Sequence, residues 1–339
     1  MPDIQLRFQK DMLVLSSPVD AMLARQGVDA ARDRQYLNLM EPDSIRDELQ
    51  LEVMAGAQCV VATTEDITQA RLAHVRMDAD APRLAAAALA IANEVKPQHV
   101  LAEVGPCGLP LDDSSKASLN ENRKQYADAA RAFEGGTFDA FFLNGFTKLA
   151  DLKCALMGVA QVSDKPVFAS VALGCEPLPA AVEVARDEAG ELDIAFPFDG
   201  YEALDAPAAP PLPASRLSCL DPREWPAAID AMVDLGASVI GFETADPIAQ
   251  ALEFARVAAE RTDLPVLAQL CVKPDAEESM AKNLTPLADI DEYTPDTMAT
   301  AAVKLFGAGV QFLRATGAAT PAYTGALAAT VAGLDVHRD

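Results

Sequence analysis

The chain has 339 residues, half of them hydrophobic and 23% charged, the balance of a folded protein with ample apolar surface to bury rather than of a disordered chain. Its formal net charge of −24 repels phosphate backbones and anionic lipid headgroups, which argues against nucleic-acid and membrane-surface partners. No apolar run reaches the ~20 residues of a membrane span, and Met1 to Lys10 lacks a signal-peptide hydrophobic segment, so the expected location is cytoplasmic.

In chain order, short apolar runs alternate with helix-period segments. The strand expectations are Met12 to Leu15, Cys59 to Thr63, Val100 to Val104, Ala140 to Asn144, Val167 to Leu173, Ser238 to Phe242, Val266 to Cys271 and Gln311 to Ala315. Most lack polar alternation, as strands buried on both faces must. Eight such runs separated by helices predict an α/β fold, a single (β/α)8 TIM barrel spanning residues 1–339 as one domain.

Helix starts are marked by Pro42-Asp43-Ser44, followed by a periodic run to Met54, and by Pro295-Asp296-Thr297, followed by one to Phe306, with Pro and Asp in the first turn. Gly56, Gly136, Gly236 and Gly309 stand between a helix and the next strand, where a C-cap calls for positive φ. Two stretches, Phe141 to Val167 and Val239 to Val266, echo each other as strand, Gly-Phe, helix and an Asp-containing loop. The acidic, then Pro- and Ala-rich stretch 175–216 cannot continue a strand or helix and reads as an irregular insertion after strand five, a lid or a linker.

The six cysteines (Cys59, Cys107, Cys154, Cys175, Cys219 and Cys271) are scattered singly without a CxxC pair and read as reduced thiols. Strand-end residues converge at the C-terminal face of a β/α barrel, so Thr63, Thr64, Cys107, Asn144, Cys175, Glu243, Cys271, Lys273 and Arg314 are the side chains expected on or near the reactive face. A metal site rebuilt from Cys107, Cys175 and Cys271 competes there with the ordinary role of lone cysteines as small buried hydrophobes. The histidines offer nothing to that face: His74 lies in a helical pattern, His99 precedes strand three at the opposite end, and His337 is in the tail.

Over nearly the whole chain the residues carry a family resemblance. Asn38-Leu39-Met40-Glu41-Pro42-Asp43-Ser44-Ile45-Arg46, with Ala55-Gly56-Ala57 after it, resembles the N-L-x-x-P-x-x-I…A-G-A segment of the zinc-dependent homocysteine S-methyltransferases, which include the homocysteine-binding module of cobalamin-dependent methionine synthase. Val104-Gly105-Pro106, the stretch from Asp139 to Lys153-Cys154-Ala155-Leu156, and Pro295-Asp296-Thr297-Met298-Ala299 through Ala308-Gly309 to Thr320-Pro321 are similar in the same order.

The resemblance breaks where the family does its chemistry. Its zinc cysteines sit in G-x-N-C at the sixth strand end and G-G-C-C-G at the eighth. Here the two places read Gly241-Phe242-Glu243-Thr244 and Arg314-Ala315-Thr316-Gly317-Ala318, without a thiol. The opening D-G-A-M-G-T has become Ser16-Ser17-Pro18-Val19-Asp20-Ala21, E-T-N-T-F after strand two is Val61-Ala62-Thr63-Thr64-Glu65, and the Glu after strand four is Asn144. The family's carboxylate grip on an amino group is therefore expected to be missing, and homocysteine is not the expected substrate.

What the resemblance implies is an S-methyltransferase-like enzyme moving a methyl group to or from a small substrate, a thiol among the candidates, with no metal held in the family's way. Glu243 and Arg314 are the catalytic candidates, as a charge pair lining the site or as a structural ion pair. Thr63, Thr64, Asn144, Thr244 and Thr316 are the substrate-binding candidates. The chain carries no cofactor motif of its own, and the cobalamin-binding D-x-H-x-x-G is absent, so the methyl donor implied is a pterin or a separate corrinoid protein. The rival reading is a non-catalytic barrel serving as a binding or assembly subunit of a methyl-transfer system. A lyase or isomerase with Glu243 as base is the third.

Overall fold

The computed structural model describes residues 3–28, 30–174, 220–245, 248–273, 293–332 and 334. The eight apolar runs become eight parallel strands: β1 (Leu13–Val14), β2 (Cys59–Ala62), β3 (His99–Val104), β4 (Ala140–Phe146), β5 (Val167–Gly174), β6 (Val239–Thr244), β7 (Val266–Val272) and β8 (Val310–Gly317). They hydrogen-bond in the order β1-β8-β7-β6-β5-β4-β3-β2. A parallel bridge from Leu15 to Cys59, with Ser16 N–H donating to the Cys59 carbonyl at 2.8 Å, joins the two ends. The sheet closes on itself as a (β/α)8 TIM barrel, leaving no edge to be protected.

Eleven helices are described: α1 (Asp20–Arg25), α2 (Ala30–Met40), α3 (Pro42–Ala55), α4 (Gln69–His74), α5 (Ala81–Glu94), α6 (Lys116–Arg131), α7 (Leu149–Ala160), α8 (Trp225–Asp234), α9 (Ile248–Ala259), α10 (Pro295–Gly307) and α11 (Pro321–Val331). Both Pro-marked starts are observed. Helix α3 begins at Pro42 and stops at Gly56, whose φ of 115° is open to glycine, and α10 carries a capping box between Thr294 and Thr297. One cap is displaced: positive φ (78°) falls on Gly135 and not Gly136. Gly136 is small for another reason, since a Cβ there would stand 2.4 Å from Leu89 Cδ1. Among the described residues no helix is long and apolar enough to cross a membrane. The insertion expected at 175–216, with Cys175, lies outside the described residues, as do Cys219 and His337.

The echoed stretches are indeed β/α units, β4-α7 leading to β5 and β6-α9 leading to β7. Their Gly-Phe pairs sit differently. Gly145-Phe146 ends β4, where its register with β5 shifts, while Gly241-Phe242 lies mid-strand opposite Ser170-Val171.

Strand alternation sorts the core into two layers. Val60, Ala62, Val100, Ala102, Phe141, Leu143, Ile240, Phe242 and their like face outward to the helices. Leu13, Leu15, Cys59, Val61, Leu101, Phe142, Phe168, Leu267 and Phe312 fill the barrel interior. A short 3-10 turn, Ile4–Arg7, plugs the N-terminal end with Ile4, and Phe8 stacks edge-on against Phe168 and Phe312 at 6.1 and 5.9 Å. Gln311 pins this segment: it accepts from Gln9 N–H and donates to the carbonyls of Arg7 and Asp11. Phe168, fully buried and 5.0 Å from the Phe312 ring, ties plug and barrel together. Phe168→Ala is expected to cost about 3–5 kcal/mol by urea denaturation, and Phe8→Ala clearly less, because Phe8 is only part-buried.

A buried carboxylate fastens α3 and α11 to the end of β1. Glu52, 1% exposed, accepts from Ser17 N–H at 2.9 Å and from the Thr324 hydroxyl at 2.6 Å. Burial pushes its pKa above the ordinary value of 4.5, with Glu48 adding to the rise and the two hydrogen bonds and Arg314 opposing it. The folded chain thus keeps this proton to higher pH than the unfolded chain, and the stability linked to it falls as pH rises through the window above about 4.5. Glu52→Gln is expected to flatten that decline, read as urea midpoints at a series of pH values from about 4.5 to about 7.5. Equal slopes in the two proteins would remove Glu52 from the account.

Candidate active site at the barrel mouth

The rows that are apolar in the lower barrel turn polar toward the C-terminal ends. Two residues beyond Leu101, Phe142, Phe168, Leu267 and Phe312 stand Glu103, Asn144, Ser170, Gln269 and Arg314. With side chains alternating across a strand, all five share the interior face, and all five are buried.

They form a closed circuit. Arg314 Nη1 donates to Glu103 Oε1 at 3.2 Å and to Gln269 Oε1 at 3.1 Å, while its Nε donates to the Ser16 carbonyl at 2.9 Å. Gln269 Nε2 donates to Asn144 Oδ1 at 2.7 Å and to Ser170 Oγ at 2.8 Å. Asn144 Nδ2 then donates to the same Glu103 Oε1 at 2.8 Å. The guanidinium is the source of protons in this ring and the carboxylate their final acceptor, which fixes the orientation of both amides. Phe142 lies beneath, its ring centroid 5.4 Å from Arg314 Cζ. Gly241 makes room for Ser170, since a Cβ on it would stand 2.9 Å from Ser170 Cβ.

The charge pair expected between Glu243 and Arg314 is formed with another partner. Arg314 pairs with Glu103 at 3.2 Å, and Glu243 accepts the Thr316 hydroxyl at 2.6 Å. The reason is strand alternation and reach: Glu103, across the barrel on β3, extends from an inward position toward the guanidinium, whereas Glu243 meets Thr316 one inward step further up β8. Thr244 donates its hydroxyl to Gln250 of α9. The residues at the two family cysteine motifs thus do converge through the Glu243–Thr316 bond, but both threonine hydroxyls are spent as donors within the protein.

Thr63 and Thr64 are buried at the end of β2. Thr64 Oγ1 donates to the Glu103 carbonyl at 2.7 Å, and Thr63 gives its carbonyl to Asn38 Nδ2 at 2.8 Å, which accounts for the asparagine of the N-L-x-x-P stretch. Asn144 bonds side chains of the ring. Cys107 is turned away from the mouth into the β3–α6 connection: its thiol donates to Asn122 Oδ1 at 3.1 Å and its N–H to the Tyr126 hydroxyl at 2.9 Å. Burial pushes its pKa above the ordinary thiol value, so it stays a thiol. Cys271 is part-buried opposite Thr316, and Lys273 follows β7 directly. His74 ends α4 and His99 opens β3 at the far end of the barrel. Among the described residues, no group of three or more His, Cys, Asp or Glu side chains is placed to hold a metal ion.

Other acids stand after β1 and β2, outside the positions of the family's carboxylates. Glu65 and Asp20 both pair with the buried Arg34 of α2, and Asp66 faces Arg71 at 3.7 Å. Glu65 is seated by its carbonyl, which accepts Gly105 N–H at 2.7 Å. The carboxyl of Glu103 is pushed upward by burial and by Glu65, against the pull of Arg314, Asn144 and Arg34. Glu103, Gln269 and Ser170 are the residues that sequence reading passed over. The available signal was their parity: each is a polar residue at an inward position inside an otherwise apolar strand.

A family model for homocysteine S-methyltransferases matches residues 13–191, covering β1 through β5. A search of curated proteins finds no match. Among solved structures, the homocysteine methyltransferase MmuM from Escherichia coli in its metallated form is 14% identical over 94% of this chain and 96% of that chain, with a TM-score of 0.64. Its oxidised form gives 0.66 at the same identity and coverage, and its apo form 0.60 at 13% identity. On the strength of the family match, carried by more than half of its residues, this chain belongs to the homocysteine S-methyltransferase family.

Proposed function

We propose that this barrel transfers a methyl group to or from a small substrate, a thiol being the leading class, without a zinc ion bound in its family's manner. The observation that carries the reading is what stands at the two cysteine motifs. Thr244 and Thr316 replace thiols, and their hydroxyls donate to Gln250 and Glu243. A neutral hydroxyl already committed as a donor is a poor zinc ligand, and the described residues supply no other three-donor group. The donor set does not fit the metal.

Losing the metal costs a methyl-accepting thiol its activation. A thiol of pKa ~8.5 is about 3% ionised at pH 7, a handicap on the order of 2 kcal/mol. One unit charge ~4 Å away in a medium of effective dielectric ~20 supplies about 4 kcal/mol, so a single cation is enough. Arg314 is the cation of the inner ring. It is balanced by Glu103, so its effect on a bound anion depends on how that pair is charged. The methyl donor fits the same reading as a pterin or a corrinoid carried by a separate protein, and the protein is placed in the cytoplasm.

Metal analysis of the purified protein, together with methyl-transfer assays pairing a methylated pterin or a methyl-corrinoid with a panel of small thiols, tests this. Substoichiometric zinc and activity that survives chelation are expected, with Arg314→Met lowering kcat/KM by about 10²-fold or more, the usual cost of losing a charge-stabilising donor. Stoichiometric zinc held through cysteine, or activity abolished by a chelator, would refute it. Transfer to no acceptor, with no thermal stabilisation by any small molecule, would favour the non-catalytic subunit.

A further inference from the structure

Two polar atoms of the inner ring are left unspent. Arg314 uses Nε and Nη1, and no described residue accepts from its Nη2. Glu103 receives both Asn144 and Arg314 on Oε1, and no described residue bonds its Oε2. Neither atom is among the sealed, unpartnered polar atoms of the interior, so each keeps some contact with the mouth although both residues are buried. A donor and a carboxyl oxygen carried on one ion pair form a ready-made fork. An arginine on a rigid strand, braced by three acceptors and an aromatic ring, is already ordered for a planar anion.

We propose that Arg314 anchors a carboxylate of the substrate through Nη2, and that Glu103 takes up a proton on Oε2 as the carboxylate arrives, donating it to the ligand's second oxygen. This deepens the reading of the barrel mouth as the active site and rests on it. Two carboxylates cannot share one guanidinium in a desolvated interior while both stay charged. Of the two, Glu103 is the one whose surroundings accept a proton. Facing it are Arg314 from β8 and Arg34 from α2, which favour its anion, and Glu65 after β2, which disfavours it; Asn144 of β4 and Gln269 of β7 are neutral. Glu52 of α3 bears on Arg314 from behind, and Glu243 of β6 is engaged with Thr316. Burial raises the proton affinity of Glu103 before any ligand is bound. The ring survives protonation, because every hydrogen bond Glu103 accepts falls on the other oxygen.

The experiment is titration calorimetry of the full chain with mercaptoacetate, propionate and 2-mercaptoethanol, at several pH values and in two buffers of different ionisation heat. Both carboxylates are expected to bind at least about tenfold more tightly than the neutral thiol. Their Kd should rise with pH by up to about tenfold per unit, with close to one proton taken up per ligand. Arg314→Met should abolish carboxylate binding, and Glu103→Gln should bind with no pH dependence. If Glu103→Gln does not fold, the buffer-dependent heats of the unmodified protein decide the same point. Equal affinity for mercaptoacetate and 2-mercaptoethanol would overturn the anchor and leave the thiol reading intact. Carboxylate binding unaffected by Arg314→Met, or binding without proton uptake, overturns the proposal outright. Carboxylate binding as described, in a protein that transfers no methyl group, would sustain the anchor and sink the methyl-transfer reading.

Discussion

A guanidinium inside a β-barrel has to be paid for by a carboxylate, and the Arg314–Glu103 pair organises the upper half of this molecule. Removing either partner would leave a buried charge, a loss of about 3–5 kcal/mol in comparable pairs. That need recruits Asn144, Gln269 and Ser170 into one hydrogen-bonded circuit and draws the Ser16 carbonyl down from β1. It also reaches outward: Thr64 holds the backbone of Glu103, and Glu52, two hydrogen bonds from the pair by way of Ser16-Ser17, secures the β1 end against α3 and α11. The barrel therefore has a dry hydrocarbon lower half, plugged by Ile4 and Phe8, and a polar upper half whose members are all bound to one another.

The architecture was legible because it follows from local rules. All eight apolar runs became strands, and only their ends moved: β6 and β8 run two residues further than expected, to Thr244 and Gly317, since Glu243 and Thr316 still alternate into the barrel and keep pairing. The Gly136 cap failed by one residue because helix α6 is followed by two glycines, and sequence alone does not say which of them takes the left-handed turn and which yields space to Leu89.

The site was legible only in part. Arg314 and Asn144 stood at strand ends beside family motifs and drew notice; Glu103 and Gln269 lie inside their strands, Gln269 in register with Arg314, and looked like exceptions within apolar runs. Which carboxylate meets Arg314 depends on strands three and eight facing each other across the barrel, a relation of closure that adjacency in the chain does not contain. Glu243, nearer in sequence logic, is on β6, where its neighbour in space is Thr316.

The pattern of satisfied groups accords with the proposed respecialisation. A catalytic site that loses its ligands without replacement leaves polar stubs with nothing to bond, and buried stubs cost about 1–3 kcal/mol each. Here the threonines at the cysteine motifs are both bonded, and one of them joins β8 to β6 through Glu243. Among the described residues the orphaned buried atoms lie elsewhere, on Arg34, Asn38, Glu52 and His99 among others, and none is on a residue of the two motifs. Glycine at position 241, mid-strand in β6, leaves space taken by Ser170, whose hydroxyl accepts from Gln269. Residues of β6, β7 and β8 that fit one another in this way accord with the proposed reading of a mouth organised around an arginine and not around a metal.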